Sequence, residues 1–275
     1  MATQSTIAEI VTTSYHIDNS LPTWARRSHP IVRRQLGLYW RVLTPQVGWI
    51  FRWYLIQAGV ILVTILFPAL LTPILMLILA SMMLLPYVIV TYFKLLGQII
   101  ADSVTSITNE MKNDTIKLLR ITPIAPHEIV LSKAAAAFWR RMEDIDIVVT
   151  MWLFLGTPVV LLFQVLAWGP EEYGGLPQIL TVFAMFTTLV RFPLEAFMVS
   201  MLGMMMGTAA RSRSVGIIGT GSLTFFYFLL TVMPRFIADL SLPVWIGLEI
   251  ILPIALPIVI IMISTLMTVA MLTRD

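Results

Sequence analysis

The sequence predicts an all-α membrane protein. Six transmembrane helices follow an N-terminal interfacial amphipathic helix, and a helical cytoplasmic segment separates spans two and three. Scarcity of charge is the first reason. Only 12% of the 275 residues are Asp, Glu, Lys or Arg, against ~25% in a soluble domain, so most of the surface must face something other than water. The second is length: the apolar runs reach the ~20 residues that cross a bilayer as a helix, and mean hydropathy is +0.89. The third is the placement of positive charge, which falls almost entirely on one side of the spans.

The elements follow in order. Residues 1–22 are polar and mixed, and are expected to form a poorly ordered tail. Residues 23–46 make the interfacial unit. In "SHPIVRRQLGLYWRVL", Arg33, Arg34, Gly37 and Arg41 fall in one arc of a helical wheel, opposite Ile31, Val32, Leu36, Leu38, Tyr39, Val42 and Leu43. Pro30 suits a first helical turn. Such a helix can lie in the headgroup plane with its arginines toward anionic phosphates, or pack on the protein's own inner face. Trp40, Trp49, Trp53 and Tyr54 at belt positions favour the membrane surface.

Residues 47–275 hold the six spans, at about 47–71, 74–96, 145–168, 178–207, 215–233 and 244–272. The first two are joined by a turn at Thr72-Pro73. With the N-terminus inside, 16 of the 18 Lys and Arg residues lie on or near the cytoplasmic side; Arg235 falls outside and Arg191 within a span. The positive-inside rule then places both termini in the cytoplasm. The first forty residues lack a basic stretch leading into an apolar core with a small-residue cleavage site, so no signal peptide is expected.

Several function classes drop away. The chain has no Cys, and His16, His29 and His127 all lie outside the spans, so no intramembrane metal cluster is expected from them. Neither H-E-x-x-H nor G-x-S-x-G occurs. No catalytic residue, metal or cofactor is expected. The basic balance, with a pI near 9.3, reflects membrane orientation and gives no expectation of nucleic acid.

Between spans two and three, at about 97–144, lies "NEMKNDTIKLLRITPIAPHEIVLSK". Met111, Thr115, Leu118 and Leu119 share one face of a helix, with Glu110, Asn113, Asp114, Lys117 and Arg120 on the other. Pro123 ends that helix near Ile121. Pro126 opens another, with Glu128 in its first turn, which runs on toward span three. The expected geometry is a short rod, about 108–121, held crosswise at the inner mouth of the bundle.

This pattern resembles the permease subunits of ABC transporters of the ABC-2 (type V exporter) family. The likeness rests on Glu110, Thr115, Leu118-Leu119, Thr122-Pro123 and the run Glu128 to Lys133. It extends to "SHPIVRRQLGLYWR", similar to the family's "N-P-[IV]-x-R-[ER]-L" helix, and to "MLGMMMGTAARSRSVGIIGTGS", similar to its fourth-span exit. Together these cover roughly residues 28–245. Asp114 stands where many relatives have Gly, and Gln35 where many have Glu. The resemblance implies a cell-membrane permease whose crosswise rod is a coupling helix seated on a separate ATPase subunit. Met111, Leu118 and Leu119 would supply the apolar contact, and Glu110 with Lys117 the polar rim. It also implies a second permease copy or paralogue. No Gly-Lys dipeptide, and so no phosphate-binding loop, occurs in the chain; ATP hydrolysis is expected on the partner.

Inside the membrane, Arg191 and Glu195 lie four apart on span four and share a helix face. Each alone would cost ~2.5–3.5 kcal/mol at mid-bilayer, so pairing is expected. The pair reads as a structural ion pair at a Pro193 bend, with a pathway lining as the other reading. Gly203 and Gly207 form a G-x-x-x-G step suited to close packing within one subunit. Two other classes compete with a permease. One is a permease-like structural membrane subunit without transport of its own. The other is a secondary transporter, for which Glu195 is thin support.

Overall fold

Hydrocarbon offers no partner to a peptide N–H or C=O, so a chain this apolar must satisfy its backbone internally. The computed structural model describes residues 18–37, 47–113, 115, 123–168, 173–210, 212–234 and 241–274, and among them every regular element is helical. Residues 1–17 of the expected tail lie outside the described residues. The main helices are α1 (Pro30–Leu36), α2 (Val47–Leu66), α3 (Leu71–Lys112), α4 (Pro126–Arg140), α5 (Met142–Ala167), α6 (Leu176–Ala210) and α7 (Arg213–Val232). A final rod is built from α8 (Leu242–Ile246), a π-helical turn (Gly247–Ile251) and α9 (Leu252–Arg274). Six of these rods are long and apolar enough to cross a membrane.

Three boundaries differ from the sequence expectation. The first two spans separate at Pro68 instead of Thr72-Pro73: α2 stops at Leu66 and a single 3₁₀ turn, Pro68–Leu70, leads into α3. Pro68 cannot donate to the carbonyl one turn back and crowds it, whereas Pro73 falls in the first turn of α3, where no donor is needed. The second difference is larger. α3 does not end near Leu96 but continues for 42 residues to Lys112, ~63 Å at 1.5 Å per residue and about twice the hydrocarbon thickness. Ile99, Ile100, Val104 and Ile107 keep the helical period past Leu96, and all are buried. Residues 108–112 are therefore the last turn of the second span and no part of a separate crosswise rod. Thirdly, α4 opens at Pro126 with Glu128 in its first turn, as expected, but does not run unbroken into span three. Arg141 leaves helical geometry (φ −110°, ψ 17°) and α5 begins afresh at Met142.

α6 is the central helix, touching α2, α3, α4, α5, α7 and α9. It passes through Pro193 without breaking. Its close approach to α3 depends on the G-x-x-x-G step. A Cβ at Gly203 would fall on Ser103 Oγ; one at Gly207 would fall on Ile107 Cγ2 and come within 3.3 Å of the Val104 carbonyl oxygen. The step therefore packs helices within one chain. The bundle has two distinguishable ends. At one, Ile107, Val130, Ala134, Met201, Met204 and Leu272 pack together; at the other, Trp168, Leu180 and Trp245 do. Apolar side chains such as Leu55, Met76, Met83, Phe225 and Leu266 remain on the outer faces, as a lipid solvent requires.

Gly207→Leu is expected to lower stability by at least ~1–3 kcal/mol, the usual cost of overpacking. Gly221→Ala, with nothing within 4 Å of the new methyl, should be neutral or stabilising by up to ~1 kcal/mol. Thermal unfolding of the two variants in detergent checks the contrast.

Candidate functional site

Two polar assemblies interrupt the apolar body. The first lies in the middle of the spans. Arg191 and Glu195, one helical turn apart on α6, form the expected ion pair, with Arg191 Nε donating to Glu195 Oε1 at 2.5 Å. Two residues from other helices complete it. Tyr227 on α7 donates its hydroxyl to the same oxygen at 2.5 Å, and Tyr92 on α3 donates to Oε2. Glu195 is wholly buried, and Phe192, Leu96, Val148 and Val199 belong to the same core. The carboxylate therefore accepts from a guanidinium and two phenols inside the packed core, an arrangement that balances its charge in place. The network ties α3, α6 and α7 together.

The second assembly seats the far end of α3. Lys133 on α4 has a side chain with no exposure and forms an ion pair with Glu110 on the last turn of α3. Asp102, two turns earlier, accepts from Arg141 Nε at 2.9 Å and lies 3.8 Å from Arg140. Gln35 on α1 donates to Ser106 Oγ at 2.8 Å, while its carbonyl accepts from Arg140 at 2.7 Å. At the start of α4, Glu128 accepts from Thr23 at 3.3 Å and faces His29 at 3.7 Å. Ser200 of α6 donates to the Ala134 carbonyl at 3.1 Å, joining this seat to the central helix.

The sequence-derived positions divide accordingly. Glu110, expected on the polar rim with Lys117, pairs its carboxylate with Lys133 and keeps a partly exposed side chain. Met111 is half-buried, and Thr115 donates to the Glu110 carbonyl at 3.3 Å. Lys117, Leu118 and Leu119 lie outside the described residues, as does Arg41. Arg33 and Arg34 are exposed on α1. On the apolar side of α1, Val32 and Leu36 pack on Ala135, Ala136 and Trp139 of α4. The alanine run of α4 permits this, since small side chains let a second helix lie close against it. Leu38, Tyr39, Val42 and Leu43 of the same expected face lie outside the described residues.

Tyr92 and Tyr227 escaped the reading of the sequence. Their signal was position: a phenol in mid-span, away from the interfacial belts, needs an acceptor for its hydroxyl, and Glu195 was the available one. Gln35, noted only as a departure from a carboxylate, is a cross-link between three elements. Among the described residues no group of His, Cys, Asp and Glu is placed to hold a metal ion. Comparison of the chain with protein-family models, with curated proteins and with solved structures finds no match.

Glu195→Ala would leave Arg191 buried without its partner and is expected to cost ~3–5 kcal/mol. Tyr92→Phe and Tyr227→Phe should each cost ~1.5–3 kcal/mol, the range for a hydrogen bond to a charged group. Denaturant titration in detergent measures all three. Lys133 gives a pH signature. Burial holds its ammonium below the ordinary value of 10.5, and the Glu110 carboxylate opposes that shift. The penalty is complete while both folded and unfolded chains are protonated. It lifts as pH rises through the folded pKa toward 10.5, because there the unfolded chain holds the extra proton. The stability of the wild type relative to Lys133→Met/Glu110→Gln should accordingly increase from neutral pH into that alkaline window. A pH-independent difference between the two proteins would contradict it.

Proposed function

We propose that the chain is the membrane-spanning permease subunit of an ABC exporter. Two copies, or this chain with a paralogue, form the translocation pathway, and a separate ATPase subunit drives it through the segment following α3. The observation that carries this reading is the course of α3. One continuous helix, in all about twice as long as a span requires, carries both a buried mid-span network at Tyr92 and, ~27 Å further along, a clamped end at Glu110. A displacement delivered beyond Lys112 thus reaches the core through a single rigid element, which is what coupling to a distant ATPase demands. The family resemblance gives the partner its identity.

In this reading the basic end of the bundle is cytoplasmic, and the residues from Met111 onward make the coupling contact. Met111, Leu118 and Leu119 supply its apolar surface, with Lys117 at the rim. Glu110 then serves as the anchor at the base of the segment. Arg33 and Arg34, with Arg41 beyond, bring positive charge to the headgroup level even though α1 rests on protein. Arg191 and Glu195, with the two tyrosines, hold the spans that must move together. The cargo class that suits the apolar body is a lipid-like, glycan or amphipathic compound.

Leu118→Glu should abolish coupling between ATP hydrolysis and transport while leaving the bundle folded and the subunits assembled. ATPase turnover and cargo flux in the same proteoliposomes give the ratio. Unchanged coupling in that variant would overturn the reading, as would purification in mild detergent without any Walker-type ATPase.

A further inference from the structure

The coupled-transport reading leaves one cavity unused. Between α2, α5 and α6 lies a groove of about 240 Å³, bordered by Ile50, Phe51, Val149, Phe186 and Val190 among other apolar side chains, and by Asp146, Leu189 and Pro193. Glu195 does not line it, although Ile145 and Val149 on its wall also belong to the core that surrounds that residue. Phe51 is 49% and Val190 37% exposed, so the groove opens sideways on the outer surface of the bundle.

Asp146 is the only ionisable side chain on the wall, and one of its carboxylate oxygens is sealed from solvent with no hydrogen-bond partner among the described residues. The nearest arginine in sequence, Arg141, is engaged with Asp102 and Asp144. Pro193 has no N–H to give the Leu189 carbonyl one turn back, and both residues border the groove. Asp146 therefore borders an apolar hollow in which no lining side chain among the described residues supplies a donor. A carboxylate held this way is costly unless something brings it positive charge and a proton to share. The volume suits a short alkyl chain, being somewhat below that of a drug-sized site.

We infer that this groove binds an amphiphilic ammonium compound, with its alkyl chain among Ile50, Val149 and Phe186 and its ammonium on Asp146. The inference does not depend on an ATPase partner or on transport. Binding of tritiated decylamine and of tritiated decanol to the full-length protein in phosphatidylglycerol nanodiscs, with the uptake of protein-free nanodiscs subtracted, tests it. Decylamine should bind more tightly than decanol by about tenfold. Asp146→Asn should erase that preference while leaving decanol binding unchanged, and Val149→Trp, which fills the groove, should remove both. Displacement of decylamine by phosphatidylethanolamine added to the nanodiscs identifies a bilayer lipid as the occupant; failure to displace it identifies a free amphiphilic amine. Equal binding of the two probes to the wild type, or a preference that survives in Asp146→Asn, overturns the assignment.

Discussion

A carboxylate in hydrocarbon must bring its own donors, and Glu195 takes them from three helices. Arg191 comes from its own turn, Tyr92 from α3 and Tyr227 from α7. None of the three spans can shift independently without exposing either a charge or a phenol to lipid. The apolar packing around the network tolerates sliding far better, because one lipid-like surface is much like another. The register of the bundle is therefore set at this point, and α6 is central because it carries both ions.

The basic end obeys the same rule with different chemistry. Lys133 is as deeply buried as Glu195, yet its partner Glu110 keeps some contact with the exterior, its side chain 20% exposed. Asp102 and Gln35 extend the contact to α1 and to the break at Arg141. Where the mid-span network fixes helices against one another, this end fixes the two non-spanning helices, α1 and α4, onto the far part of α3. The two assemblies are joined by one stretch of helix lying against Gly203 and Gly207.

Much of this was legible beforehand, and the misses share a cause. Span number and the Arg191–Glu195 pair follow from local quantities, namely apolar length and i, i+4 spacing. The start of α4 at Pro126 follows from a residue whose effect is confined to one turn. The true stop of α2 was ambiguous because two prolines stand five residues apart, and only their place relative to a helix start tells them apart. The extension of α3 was missed because hydropathy averages over all faces; past Leu96 one face stays apolar while the others turn polar. The donors to Glu195 from Tyr92 and Tyr227 lie 103 and 32 residues away in sequence, and no periodicity links them. The contact of α1 with α4 was not legible because an alanine run advertises nothing in hydropathy, although it is what permits two helices to touch.

The glycine contact has a mechanical consequence. Because Ser103 to Ile107 are pressed against backbone on α6, α3 is least able to translate there and most able to rock. That makes the contact a fulcrum, with an arm of ~10 Å out to Lys112 and one of ~20 Å in to Tyr92, counted at 1.5 Å per residue. Any swing of the tip about that point would therefore load the Tyr92–Glu195 hydrogen bond through the longer arm, so the network resists rocking where the glycine contact alone would not.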